Sequence, residues 1–76
     1  MNKLIEILND IKFGEDFTNI QDFIEEGIFD SFDIISLIDE IEDGFDIKID
    51  SLDILPENFV SIDSIANLIK KNGGIL

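Results

Sequence analysis

Apolar residues in this chain recur at intervals that change from stretch to stretch, and those changes mark out the elements. Leu4, Ile5, Leu8 and Ile11 follow at three- and four-residue spacing, which predicts an amphipathic helix over the first dozen residues, ended by Gly14. From Gly14 to Asp30 the apolar residues (Phe17, Ile20, Phe23, Ile24, Ile28, Phe29) keep no sustained period. This segment is expected to be a long ordered connection, with room for one helical turn, pinned by those side chains. Periodicity returns at Ile34, Leu37, Ile38, Ile41 and Phe45, a clear helical stripe. Asp30 or Ser31 supplies its N-cap, Asp33 adds negative charge to its first turn, and Gly44 is the expected C-terminal signal.

Phe45, Ile47 and Ile49 then alternate at period two. No second segment could pair with them as a strand, so an extended loop pressing alternate residues into a helical core is expected. Within "SLDILPENF", Ser51 as a cap and Pro56 in a first turn predict a short helix. Ser61 caps a last helix carrying Ile62, Ile65, Ala66, Leu68 and Ile69, with Lys70 and Lys71 at its negative end and Gly73-Gly74 as the stop. The fold class is therefore all-α: a small irregular four-helix bundle of three main amphipathic helices, one short helix and a long first loop.

The length, 76 residues, fits a single domain spanning 1–76, and 45% hydrophobic residues are enough for one small core and too many for a disordered acidic tail. No cysteine is present, so neither disulfides nor thiolate metal sites are available, and the core has to come from aliphatics and the seven Phe. No apolar run approaches the roughly 20 residues of a membrane span. The first ten residues, "MNKLIEILND", mix charge into their apolar positions, unlike a signal peptide. The expectation is a monomer in the cytoplasm. A net charge of −13 repels nucleic acid and anionic membranes and attracts basic protein surfaces, although it serves equally to keep a small domain dispersed.

Ser31 poses the chemical question. A nucleophilic serine needs a base and an oxyanion hole, and the usual base is histidine, which this chain lacks. The neighbouring Asp30, with a reference pKa of about 4, is too weak a base to ionise a serine hydroxyl unaided. A self-sufficient hydrolase is thereby disfavoured. Either the serine is a helix cap, or another enzyme brings the base and modifies it. On a helical wheel at ~100° per residue, Phe32 projects away from the apolar sector, on the side of Asp39 and Asp43, with Ile35 near the edge of that side. Phe32 is either a staple folded back on Phe29 or the long loop, or part of a docking face of apolar contacts rimmed by acids.

Read together, Asp30-Ser31-Phe32-Asp33 and the following "IISLIDEIEDGFDIKI" resemble the phosphopantetheine attachment region of acyl carrier proteins. That family starts with Asp-Ser-Leu, continues as a helix with aliphatics at these spacings and an acidic close, and ends in Phe-Asp with an isoleucine four residues after the Phe. Phe45-Asp46 and Ile49 stand at the matching distances, and the likeness extends over essentially the whole chain. The resemblance implies a non-catalytic carrier. A separate magnesium-dependent phosphopantetheinyl transferase would move the 4′-phosphopantetheine arm of coenzyme A onto Ser31, and the arm's thiol would hold acyl or aminoacyl groups as thioesters. Asp30 would help position the transferase's metal and the serine. Phe32, Asp33, Ile35, Glu42 and Asp43 match docking positions of the family, and Asp39 lies on the same face. The implied partners are the transferase, an acyl- or aminoacyl-loading ligase, and downstream synthases or transferases with basic patches.

Phe32 in place of the usual Leu, Ser36 where many fatty-acid carriers have Glu, and Asp39 where they often have an apolar residue depart from the pattern. These departures, with "GIFDSF" and "ILPENFVSI", resemble stand-alone carriers of secondary, aminoacyl or D-alanyl cell-envelope pathways more than fatty-acid synthesis carriers. Two other readings remain open. An unmodified acidic adaptor explains the charge and Phe32. An EF-hand-like calcium loop beginning at Asp39 places Gly44 correctly at its sixth position but leaves Ile41 at its third and Asp50 at its twelfth. If the carrier shelters an apolar cargo, Ile34, Ile38, Phe45, Ile49, Ile62 and Leu68 are the expected lining; a close-packed core is the alternative.

Overall fold

Three helices, α1 (Asn2–Ile11), α2 (Ser31–Phe45) and α3 (Ile62–Lys71), frame the chain in a computed structural model that describes residues 2–76. Among the described residues there is no strand. Single 3-10 turns occur at Phe17–Asn19, Ser51–Asp53 and Pro56–Phe59. The buried faces follow the apolar stripes: Leu4, Ile7 and Leu8 from α1, Leu37 and Ile41 from α2, and Ile65, Ala66, Leu68 and Ile69 from α3. In α1 the buried middle residue is Ile7, whereas Ile5 is half-exposed.

The short fourth helix is replaced by two 3-10 turns. Asp50, not Ser51, caps the first by accepting the Leu52 N–H at 2.9 Å. Leu55 then lies extended (φ −122°, ψ 143°), as the residue before a proline is sterically pushed to do, which keeps the two turns from fusing into a helix. Pro56 opens the second turn, as its fixed φ and missing N–H allow.

α1 and α2 pack antiparallel. Lys12 Nζ reaches Asp33 Oδ2 at 3.5 Å at one end, and Lys3 Nζ sits 5.6 Å from the centre of the Phe45 ring at the other. Gly44 belongs to this contact and does not stop the helix: a Cβ there would stand 3.2 Å from Ile7 Cδ1 and 3.6 Å from Lys3 Cε. The helix closes two residues later on Asp46, left-handed at φ 54°, a conformation Asp tolerates better than most side chains. The Asp46 and Ile47 N–H groups both donate to the Glu42 carbonyl. Beyond it Ile49 is buried and Ile47 half-buried, while Asp46, Lys48 and Asp50 face solvent, as the alternation predicts.

The long connection between α1 and α2 is held by aromatics. Phe17, Phe23 and Phe29 are buried against one another: Phe23 meets the other two edge-on (ring centres 5.8 and 5.3 Å apart), and Phe17 stacks on Phe29 at 5.9 Å. Each buried ring contributes on the order of 2 kcal/mol of hydrophobic free energy. The Phe23 N–H donates to the Val60 carbonyl at 2.7 Å and so ties this loop to the segment entering α3. Asp22 Oδ1 accepts the Ile24 and Glu25 N–H groups, which closes the turn between Phe23 and Gly27.

Candidate functional site

Asp30 settles the position of Ser31. Its Oδ1 accepts the Asp33 N–H at 2.9 Å, and Asp33 Oδ2 in return accepts the Asp30 N–H at 3.3 Å, a reciprocal capping box. The N-cap is therefore the aspartate. Ser31 becomes the first helical residue, its side chain outside the cap and exposed to solvent. The Asp33 N–H, then burial working against it, then the Asp33 side chain and Lys12, leave the Asp30 carboxyl below its ordinary range. It stays ionised at any physiological pH.

Beside Ser31 lies an apolar groove of about 340 Å³. Its rim carries Asp30, Ser31 and Ile35 on one side and Ile54, Leu55 and Pro56 on the other. Ile24, Ile34 and Ile38 form half-buried walls, and the buried Phe29 and Phe59 lie deepest. The aspartate and the serine are the two polar residues of the lining, and both stand at the rim. Of the residues expected to line a sheltered space, Ile34 and Ile38 do so. Ile49 and Leu68 are buried in the core instead, and Phe45 and Ile62 pack against it, away from the groove. The sequence places Ile24 among the side chains pinning the long connection and Pro56 in a short helix, and gives Ile54 and Leu55 no role; the run Ile54-Leu55-Pro56, apolar and fitting no helical stripe, is the available signal.

The outer face of α2 carries Phe32, 74% exposed, and Ile35, 62% exposed, above exposed Asp39 and Asp43. Phe32 thus projects to solvent and is no staple. Two carboxylates of the expected docking set have internal partners: Asp33 completes the capping box and meets Lys12, and Glu42 Oε2 accepts the Ile49 N–H at 2.9 Å. The calcium reading is overturned, because its loop would begin with residues 39–45, which are helical. Among the described residues no cluster of three or more His, Cys, Asp or Glu could hold a metal ion, and no helix is long and apolar enough to cross a membrane.

The family of the phosphopantetheine attachment site matches residues 3–69. No curated protein and no solved structure matches the chain significantly. The residues present fit the group that family carries. A solvent-facing hydroxyl at the start of a 15-residue helix offers a point of esterification where the positive end of the helix favours a phosphodiester. The adjoining groove is hydrocarbon almost throughout. Since the match runs from α1 through most of α3, the chain belongs to the phosphopantetheine attachment site family, whose members hold 4′-phosphopantetheine covalently.

Proposed function

We propose that Ser31 is the attachment residue, and that the protein is a non-catalytic carrier of apolar acyl groups, handed between enzymes as thioesters. The observation that carries this reading is the solvent-facing Ser31 side chain, kept out of the helix cap by Asp30 and set at the rim of an apolar groove. The arm, when attached, supplies a terminal thiol on which the acyl group is held.

The chain's own residues have defined tasks. Ser31 Oγ forms the new bond to the arm's phosphorus as the bond from that phosphorus to the nucleotide part of coenzyme A breaks, releasing the 3′,5′-bisphosphate nucleotide. The serine proton passes to a base the visiting transferase must bring, because no histidine is present. Asp30 fixes the serine at the first helical position by its cap, and its ionised carboxylate shares the groove's rim with Ser31, where it can help position a transferase's metal ion. The groove favours an apolar cargo over an aminoacyl one: an ammonium entering past Ser31 would lose its water and meet only hydrocarbon on the walls. Phe32 and Ile35 supply the apolar contacts for partners, and Asp39 and Asp43 supply the charge that steers basic surfaces. Asp33 and Glu42 add to that field from positions already bonded within the fold.

The test is incubation with coenzyme A, magnesium and a promiscuous phosphopantetheinyl transferase, followed by intact mass. One adduct is expected, absent in Ser31→Ala. An unchanged mass in the natural sequence would overturn the carrier reading in favour of an unmodified adaptor.

A further inference from the structure

Asn72, at the C-terminal cap of α3, is the one asparagine of the chain that precedes a glycine. That pairing has a chemistry of its own. The backbone nitrogen of the following residue can attack an asparagine's side-chain amide carbon, and a glycine there has no Cβ to block the approach. In the fold the two reactants are held apart. Asn72 Nδ2 donates to the Leu68 carbonyl at 2.9 Å, and Asn72 Oδ1 accepts the Asp50 N–H at 3.1 Å. The Gly73 N–H donates to the Lys70 carbonyl at 3.1 Å. With Asn72 at ψ 14°, the Gly73 nitrogen is turned well away from the eclipsed position that a five-membered ring requires. Yet Asn72 is only half-buried and Gly73 is exposed, at a helix end, where local opening costs least.

We propose that Asn72 is a site of spontaneous deamidation, latched by its own hydrogen bonds and released when the end of α3 opens. The Gly73 nitrogen loses its proton to hydroxide and bonds to Asn72 Cγ. The Cγ–Nδ2 bond then breaks, and the departing group takes a proton from water to leave as ammonia. A second water opens the cyclic imide at either of its carbonyls, giving an aspartyl or an isoaspartyl linkage. The sum is water in and ammonia out, with no oxidant, metal or partner, and the step is independent of Ser31. The product cannot rebuild the latch. Its carboxylate has no N–H for the Leu68 carbonyl, and it adds a negative charge to the helix end that is already negative. The Asp50 tie goes with it, which leaves Lys71 Nζ to Asp53 Oδ1, at 2.6 Å, to hold the Ser51–Asp53 turn to α3 by polar contact.

The test holds the full chain at mildly alkaline pH, folded in buffer and unfolded in urea, and follows intact mass and peptide maps over time. In urea Asn72 is expected to convert, with the mass rising by the exchange of NH2 for OH. Asp43-Gly44 can close the same ring, but by losing and regaining water, so it leaves the final mass unchanged. In the folded chain conversion should be slower by about tenfold or more, in step with the exchange protection of the Gly73 amide hydrogen. Asp50→Pro removes the N–H donated to Asn72, at a backbone φ of −60° that proline accepts. Checked for folding by thermal melt, it should speed conversion severalfold in buffer and leave the urea rate unchanged. Asn72→Asp, which installs one of the two products, should speed hydrogen exchange at the Asp50 amide. No conversion in urea overturns the site. Equal rates in buffer and urea, a buffer rate that Asp50→Pro does not change, or unaltered Asp50 exchange in Asn72→Asp overturns the latch.

Discussion

Two helices in this protein begin at a serine, and the two serines have opposite fates. At α3, Ser61 is itself the N-cap: its Oγ accepts the Ser64 N–H at 3.1 Å, Ser64 Oγ accepts the Ser61 N–H at 3.1 Å, and both side chains are half-buried. At α2 the same box is built one residue earlier by Asp30 and Asp33, so that Ser31 is displaced onto the first turn and faces solvent. A preceding aspartate turns a structural hydroxyl into an accessible one. Under the proposed assignment, what marks a serine for attachment is its place relative to the cap, not its presence at a helix start.

Exchanging the two roles gives the largest expected effect. Ser31→Ala abolishes the mass adduct entirely and leaves the melting temperature nearly unchanged. Ser61→Ala keeps the adduct and lowers stability by about 1 kcal/mol, the usual loss of a side-chain cap, seen as a shift in the denaturation midpoint. If Ser31→Ala destabilises as much as Ser61→Ala, the two sites are not different in kind.

Acid should next separate the two caps. The Asp30 pKa is depressed in the folded state, chiefly by the Asp33 N–H. Its contribution is therefore fully present above the unfolded carboxyl pKa of about 4 and is lost as pH falls through the lower folded value. The α3 cap is made of hydroxyls and does not titrate. In an NMR acid titration the Asp33 amide should move before the Ser64 amide; simultaneous movement would mean that global unfolding, not the cap, is being observed.

The smallest effect comes from a second carboxylate on α2 that shifts the other way. Burial, followed by the neighbouring Asp10 carboxylate on α1, raises the Glu40 pKa. Its ionisation opposes folding increasingly as pH rises from the unfolded carboxyl pKa to the folded one, and not below it. Glu40→Gln should stabilise the fold slightly at neutral pH, by less than about 0.5 kcal/mol after solvent screening and read as a small rise in melting temperature, and do nothing in strong acid. The opposite sign at Glu40 separates its titration from that of the Asp30 cap on the same helix.

The stripes of α1, α2 and α3 were legible because helical periodicity is local, and so was the Asp-Ser start of α2. Gly44 was misread because a glycine near a helix end has two physical uses, and only the approach of Ile7 tells them apart. The aromatic group of the first loop could be named residue by residue, but irregular backbone has no period, so its mutual packing was invisible. The groove was the least legible feature. It exists because the Ile54–Pro56 run lies across from α2, a juxtaposition made by tertiary contacts such as Lys71 Nζ to Asp53 Oδ1 at 2.6 Å and Asp50 N–H to Asn72 Oδ1 at 3.1 Å. The expected lining followed the core stripes, and of the groove's true lining only Ile34 and Ile38 lie on them.

Three of the five lysines are engaged inside the fold: Lys3 over Phe45, Lys12 with Asp33, and Lys71 with Asp53. Each ion pair cancels one lysine against one aspartate, and the Phe45 ring is neutral, so the distant field of the particle follows its net charge of −13. Copies of the protein approaching within the ~10 Å Debye length at 0.1 M salt push one another away. Crowded carriers would thus stay dispersed as separate bodies, and adding salt would be the simplest way to bring them into collision.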